Sequence, residues 1–152
     1  MHIILEYTNE VDNPLESDFF QTIASCTLAH PQFSFLSEKE ITIGVTIVSR
    51  EKIQSLNKQY RQHDSVTDVL SFGEYEGKSA LSQNAEKQIF LGDIFLCADF
   101  IAHSAEEDEV TLEREMTYIF SHGILHLLGF DHEEEMFLIQ EAVTDKLTGN
   151  KK

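Results

Sequence analysis

The chain predicts an α+β domain: strand-like runs crowd its first two-thirds, helix-period runs fill its last third, and no long linker or internal repeat separates them. Its 152 residues suffice for one ordinary core and not for two, so residues 1–152 are expected as a single domain. The expected architecture is a mixed sheet of about four strands packed with helices, with the chemistry on the C-terminal helical half.

Ile3-Ile4-Leu5 opens as a strand, and Asn13-Pro14 has the form of an N-cap followed by proline at the first helical position. Phe19, Phe20, Ile23, Cys26 and Thr27 then recur at helical spacing, up to about Pro31. The β-branched alternation of Glu40 to Ser49 predicts a second strand, and Ile53, Leu56 and Tyr60 a short amphipathic helix. Asp68 to Phe72 reads as a third strand, and Glu76 to Lys87, polar and without period, as a mobile loop. Ile89 to Cys97 is apolar on both faces, which suits a central strand. Helix is expected from Ala98 through His103, from about Thr111 to Leu128, and from Glu133 to Leu147. Phe72, Phe90 and Phe95 are expected in the core rather than as platforms for stacked bases.

No apolar run approaches the roughly 20 residues of a membrane helix, and Met1 to Tyr7 lacks the pattern of a signal peptide. Cys26 and Cys97 stand far apart among apolar neighbours, as buried thiols in a reducing cytoplasm do. The net charge of −16 argues by itself against a nucleic-acid partner. Its distribution qualifies that: Arg50, Lys52, Lys58 and Arg61 fall close together with only Glu51 opposing them. One edge of an acidic molecule can therefore be locally basic, the alternative being a solvated helix face that carries a few cations.

The chemistry concentrates in Ser121 to His132, S-H-G-I-L-H-L-L-G-F-D-H. His122 and His126, four apart on a helix, project from one face about 6 Å apart along the axis, the spacing at which two imidazoles share one ion. Gly129 can end the helix in a left-handed cap, and the turn through Phe130 and Asp131 can bring His132 back as third ligand. Three imidazoles leave a tetrahedral position open, as catalytic zinc sites do. His2, His30, His63 and His103 lack such spacing and are expected as solvated or capping side chains. The same spacing occurs in metzincin peptidases, but Gly123 stands where those enzymes carry the glutamate general base. Amide hydrolysis by that route lacks its proton acceptor. Phosphoryl chemistry, driven by the metal's effect on water and on a phosphoryl oxygen, is the better expectation, with position 123 facing the attacking water. Ligand imidazoles usually hand their other N–H to a carboxylate or carbonyl, a role open to Asp131 or Asp93. Asp68 is expected either to cap the turn into its strand or to orient such an imidazole.

These residues resemble the YbeY endoribonuclease family. His122-Gly123-Ile124-Leu125-His126-Leu127-Leu128-Gly129-Phe130-Asp131-His132 matches the family's histidine motif. Leu56-Asn57, Tyr60-Arg61 and Thr67-Asp68-Val69-Leu70-Ser71-Phe72 match a second block, and Leu91-Gly92-Asp93-Ile94 a third; Val66 stands where the family usually has proline. The resemblance implies a zincin-like α+β fold and metal-dependent endonucleolytic cleavage of single-stranded RNA. It further implies work in ribosomal RNA maturation, at the 3′ end of the small-subunit 16S RNA, and in ribosome quality control. His122, His126 and His132 carry over as ligands of one Zn²⁺ per chain, and Arg61 as a phosphate contact beside the metal. Implied partners are single-stranded or ribosomal RNA and the small ribosomal subunit or its proteins, in the cytoplasm, where a basic partner would offset the acidic surface. Two other functions remain open: a ribosome-assembly binding factor with weak nuclease activity, and a hydrolase of small phosphate esters.

Overall fold

The computed structural model describes residues 1–75 and 77–149. Four strands, β1 (His2–Asn9), β2 (Glu40–Val48), β3 (Val69–Gly73) and β4 (Gln88–Cys97), form a sheet of order β1-β2-β4-β3. β1 and β4 flank β2 in parallel, and β3 runs antiparallel along the other side of β4, so the sheet is mixed, as expected. The helices are α1 (Ser17–Leu28), α2 (Arg50–Arg61), α3 (Gly77–Ser82), α4 (Ala98–Asp108), α5 (Leu112–Leu127) and α6 (Glu134–Thr148).

One sheet face carries the main core. Ile41, Ile43, Val45 and Ile47 of β2 alternate inward and meet Phe20 and Ile23 of α1, Phe120 and Ile124 of α5, and Met136 and Ile139 of α6. β4 lies inside the sheet, as its double-sided apolarity predicts. It changes phase midway, with Ile89 and Leu91, then Ile94 and Leu96, reaching this core. A bulge makes the change: Phe90 pairs with Thr42 and Gly92 with Ile43, leaving Leu91 over. Gly92 sits there at φ 145°, and a Cβ on it would lie 2.2 Å from the Phe72 carbonyl oxygen. The second face holds a smaller cluster of Val48, Ile53, Leu70 and Cys97, edged by Leu56, Phe72, Phe95 and Phe100. Phe72 and Phe95 pack there edge-to-face at 5.9 Å, half-buried rather than central. Cys97 is buried and Cys26 half-buried, both as free thiols.

Three boundaries differ from the sequence expectation. Asn13 does not cap a helix: α1 begins at Ser17, behind Glu16. The Asn13 amide nitrogen donates to the Leu15 carbonyl (2.8 Å) and the Tyr7 hydroxyl (3.3 Å), which ties this turn to β1, while Oδ1, the atom a cap would use, is buried without a partner among the described residues. The segment expected as a mobile loop contains α3, anchored by Leu81, buried to 1% exposure. It is also pinned by the Asn84 amide donating to the Tyr75 hydroxyl and by Lys39 donating to the Asn84 carbonyl; Glu76 lies outside the described residues. α4 runs on past His103 to Asp108, where Glu109 closes it in the left-handed region at φ 58°.

Candidate metal centre and its cleft

α5 places the first two histidines. Thr111 caps its start by accepting the Arg114 N–H, and its buried face seats the helix across β3 and β4. The end of α5 is a Schellman turn: Gly129 N–H donates to the His126 carbonyl and Phe130 N–H to the Leu125 carbonyl, with Gly129 left-handed at φ 99°. Phe130 is buried against Phe33 and clamps the turn. The chain is thereby swung so that the His132 ring returns over the other two. His132 itself sits at φ 46°, a left-handed conformation tolerated in histidine more often than in most side chains. Ring centroids lie 4.5 Å (His122–His126), 4.9 Å (His126–His132) and 5.3 Å (His122–His132) apart. One ring nitrogen from each falls within 4.8 Å of the others, so the three could hold one ion.

The outer nitrogens decide what the inner ones can do. The His126 Nδ1 lies 2.9 Å from the Phe130 carbonyl oxygen, and the His122 Nδ1 3.2 Å from Gln140 Oε1. Both partners only accept, so both Nδ1 atoms carry the proton in the neutral rings. The two Nε2 lone pairs are then left facing each other at 3.0 Å. That arrangement is repulsive unless a cation or an added proton lies between them. Burial pushes both His122 and His126 below the ordinary histidine range, disfavouring the added proton and leaving neutral imidazoles that could ligate an ion. A borderline divalent ion such as zinc fits this donor set.

Gln140 was not legible as a site residue in the sequence. Nor do the carboxylates considered for its role take it: Asp131 Oδ1 stays 4.0 Å from His132 Nδ1. Asp93 lies on the second sheet face, its carboxylate over Gly44, where a Cβ would come within 2.1 Å of Oδ1. Gly123 also departs from expectation. A Cβ there would point at Ile94 Cδ1 (3.2 Å) and Val69 Cγ2 (3.5 Å), so the position faces the sheet that α5 packs on. The absence of a side chain lets helix and sheet approach closely.

The three histidines form one wall of a cleft of about 410 Å³, with Arg61 and Thr67 to Ser71 as the other. Arg61, the last residue of α2, donates from Nη2 to the Ser71 carbonyl (2.7 Å) and lies over the Phe72 ring at 4.7 Å. Its guanidinium is exposed, and among the described residues only the Ser71 carbonyl accepts a hydrogen bond from it, so further N–H groups can meet a ligand. The expected basic edge is thinner than the sequence suggests: Arg50 is ion-paired with Asp99 and Lys58 with Asp64. Asp68 faces the same cleft, accepting from the Thr67 hydroxyl at 3.3 Å, and its charge favours the protonated form of His122. Of the remaining histidines, His30 caps the Pro31–Leu36 turn and His103 pairs with Glu107.

A family model described as endoribonuclease YbeY matches residues 6–148. Endoribonuclease YbeY of Staphylococcus carnosus is 36% identical over 92% of this chain and 91% of its own. That of Bacillus subtilis is 42% identical over 71% of this chain and 73% of its own. The solution structure of TM1509 from Thermotoga maritima superposes with a TM-score of 0.61 at 26% identity, covering 96% of this chain and 90% of the other.

Proposed function

Because the chain belongs to the YbeY endoribonuclease family, we propose that it is a zinc-dependent endonuclease that cuts single-stranded RNA during ribosomal RNA maturation. The observation that carries this reading is the cleft itself, with three convergent imidazoles on one wall and the Arg61 guanidinium on the other. A zinc ion held by His122, His126 and His132 would supply Lewis acidity, polarising a phosphoryl oxygen and making water nucleophilic near neutral pH. Arg61 binds the phosphate bidentately through the N–H groups that Ser71 leaves free. Asp68 is the carboxylate on the cleft wall suited to hold the proton released by water.

In this reading the substrate is the 3′ region of 16S ribosomal RNA, met in the cytoplasm on the small ribosomal subunit or its proteins, with ribosome quality control as a related duty. The acidic surface supports presentation by a basic partner, since free RNA would be repelled over most of the molecule. The same acidity is what favours the alternative, an assembly factor with weak nuclease activity. The test is cleavage of a single-stranded RNA by purified protein with and without chelator, with zinc added back, and by His126→Ala. Cleavage should vanish with chelator, return with zinc, and be lost in the variant. Chelator-resistant cleavage, or wild-type activity in His126→Ala, would overturn the proposal; ribosome maturation restored in cells by an inactive His126→Ala would favour the assembly factor.

A further inference from the structure

We infer that Gln140 is a positioning residue whose carboxamide locks His122 in the Nδ1–H tautomer and thereby sets the affinity of the three-histidine centre for a divalent ion. The inference rests on the metal reading above and adds to it a residue outside the histidine motif, eight positions past its end and on a different helix.

Gln140 lies midway along α6 with 1% of its surface exposed, in a helix whose other buried residues include Met136, Ile139 and Val143. A carboxamide in that setting costs desolvation that a methionine of similar length would avoid, unless each polar end is matched. Both ends are matched, and on the same turn of α5. Nε2 donates to the Tyr118 carbonyl at 3.0 Å, and Oε1 lies 3.2 Å from His122 Nδ1. Tyr118 and His122 are four residues apart, so one side chain of α6 spans one turn of α5.

The pairing leaves no freedom in which end goes where. A carbonyl oxygen cannot donate, so the amide nitrogen must face Tyr118, and the amide oxygen must then face His122. An oxygen that can only accept requires a proton on His122 Nδ1, which places the lone pair on Nε2, the nitrogen that faces His126. In a solvated histidine the neutral ring carries its proton mainly on Nε2. Without Gln140, His122 would first have to move that proton before Nε2 could bind an ion. His126 has the same constraint from the Phe130 backbone carbonyl, so Gln140 is the side-chain half of a paired device whose other half is main chain.

The experiment compares wild type, Gln140→Met and Gln140→Glu as full-length protein. Gln140→Met keeps length and burial and removes the acceptor; Gln140→Glu keeps the acceptor. Long-range ¹H–¹⁵N spectra of the metal-free proteins, above the imidazole titration range, report the tautomer of each ring, and chelator competition gives the zinc dissociation constant. Wild type should show His122 as Nδ1–H. Gln140→Met should move His122 toward Nε2–H, leave His126 unchanged, and weaken zinc binding about ten- to a hundredfold. Gln140→Glu should keep both the tautomer and, within a few-fold, the affinity, which a purely structural role for the side chain would not predict. Wild-type tautomer and affinity in Gln140→Met, or equal weakening in both variants, overturns the inference and leaves the metal reading standing. A wild type that binds no zinc overturns the metal reading and the inference with it.

Discussion

Replacing Arg61 with alanine removes a charge from the cleft wall, the 2.7 Å bond to the Ser71 carbonyl, and the contact over Phe72. The last two belong to the fold. Arg61 is exposed, so the cation–π contact contributes about 0.5–1 kcal/mol and the hydrogen bond about as much, a loss of a few degrees in Tm. In the proposed function the charge serves the substrate. A charge-assisted phosphate contact made in the transition state is worth about 1.5–3 kcal/mol, so single-turnover cleavage of a single-stranded RNA should slow roughly ten- to a hundredfold. Arg61→Lys should recover only part of that loss, because the charge returns without the planar fork and without the rigid anchoring to Ser71. Zinc stoichiometry should not change, since no imidazole is touched. The assay pairs metal content with single-turnover rates at matched low salt for all three proteins. Equal rates in wild type and Arg61→Ala would refute a substrate role, and loss of metal in Arg61→Ala would make the residue a support for the histidines instead.

Two further outcomes follow from the site. Burial holds both His122 and His126 below the ordinary histidine range, about 6.5, in the folded chain. The unfolded chain therefore takes up protons first as pH falls through 6.5, and metal-free protein should lose stability progressively below that pH, with zinc affinity falling alongside. Melting of chelator-treated protein between pH 7.5 and 5 tests this against a His122→Asn/His126→Asn variant, whose profile should be flatter; identical slopes would count against it. Gly123→Glu should destabilise the fold by about 3–5 kcal/mol, because the side chain is driven toward Ile94 and Val69 with no partner for its charge. A Gly123→Glu protein with an unchanged melting temperature would show that the position opens into the cleft after all.

The histidine centre was legible because its geometry is local. An i, i+4 pair, a glycine where the helix must stop and a third histidine three residues on are all written within eleven positions, and the Schellman turn does what that spacing requires. Gln140 was invisible for the opposite reason: its partners depend on how α6 packs back on α5, and nothing in the residues around it marks a glutamine aimed inward. The basic edge failed in a similar way. Arg50 and Lys58 look unopposed along the chain, yet Asp99 arrives from the start of α4 and Asp64 from the turn after α2. Asn13-Pro14 carried a sound capping pattern, but the Asn13 amide nitrogen is turned to Tyr7 and Leu15 and the helix starts only at Ser17. Arg61 could be singled out only through the family resemblance, because neither periodicity nor charge distinguishes it from its neighbours on α2.

β3 is a five-residue strand with a neighbour on one side only. The ladder bonds at the Asp68 carbonyl and the Glu74 N–H point those residues toward β4, so the Ser71 carbonyl points the other way, along the open edge. Such an edge, carrying Val69, Leu70 and Phe72, is a template onto which another chain could add a strand. The Arg61 guanidinium occupies that carbonyl and sets a positive charge beside it, and the strand is too short to offer a long register. One side chain thus covers part of the open sheet edge at the cleft wall where the proposed function places the phosphate. If that function holds, replacing this one arginine would uncover a backbone carbonyl on a sheet edge as well as remove a phosphate contact, so Arg61→Ala should associate with itself more readily than wild type whether or not RNA is present.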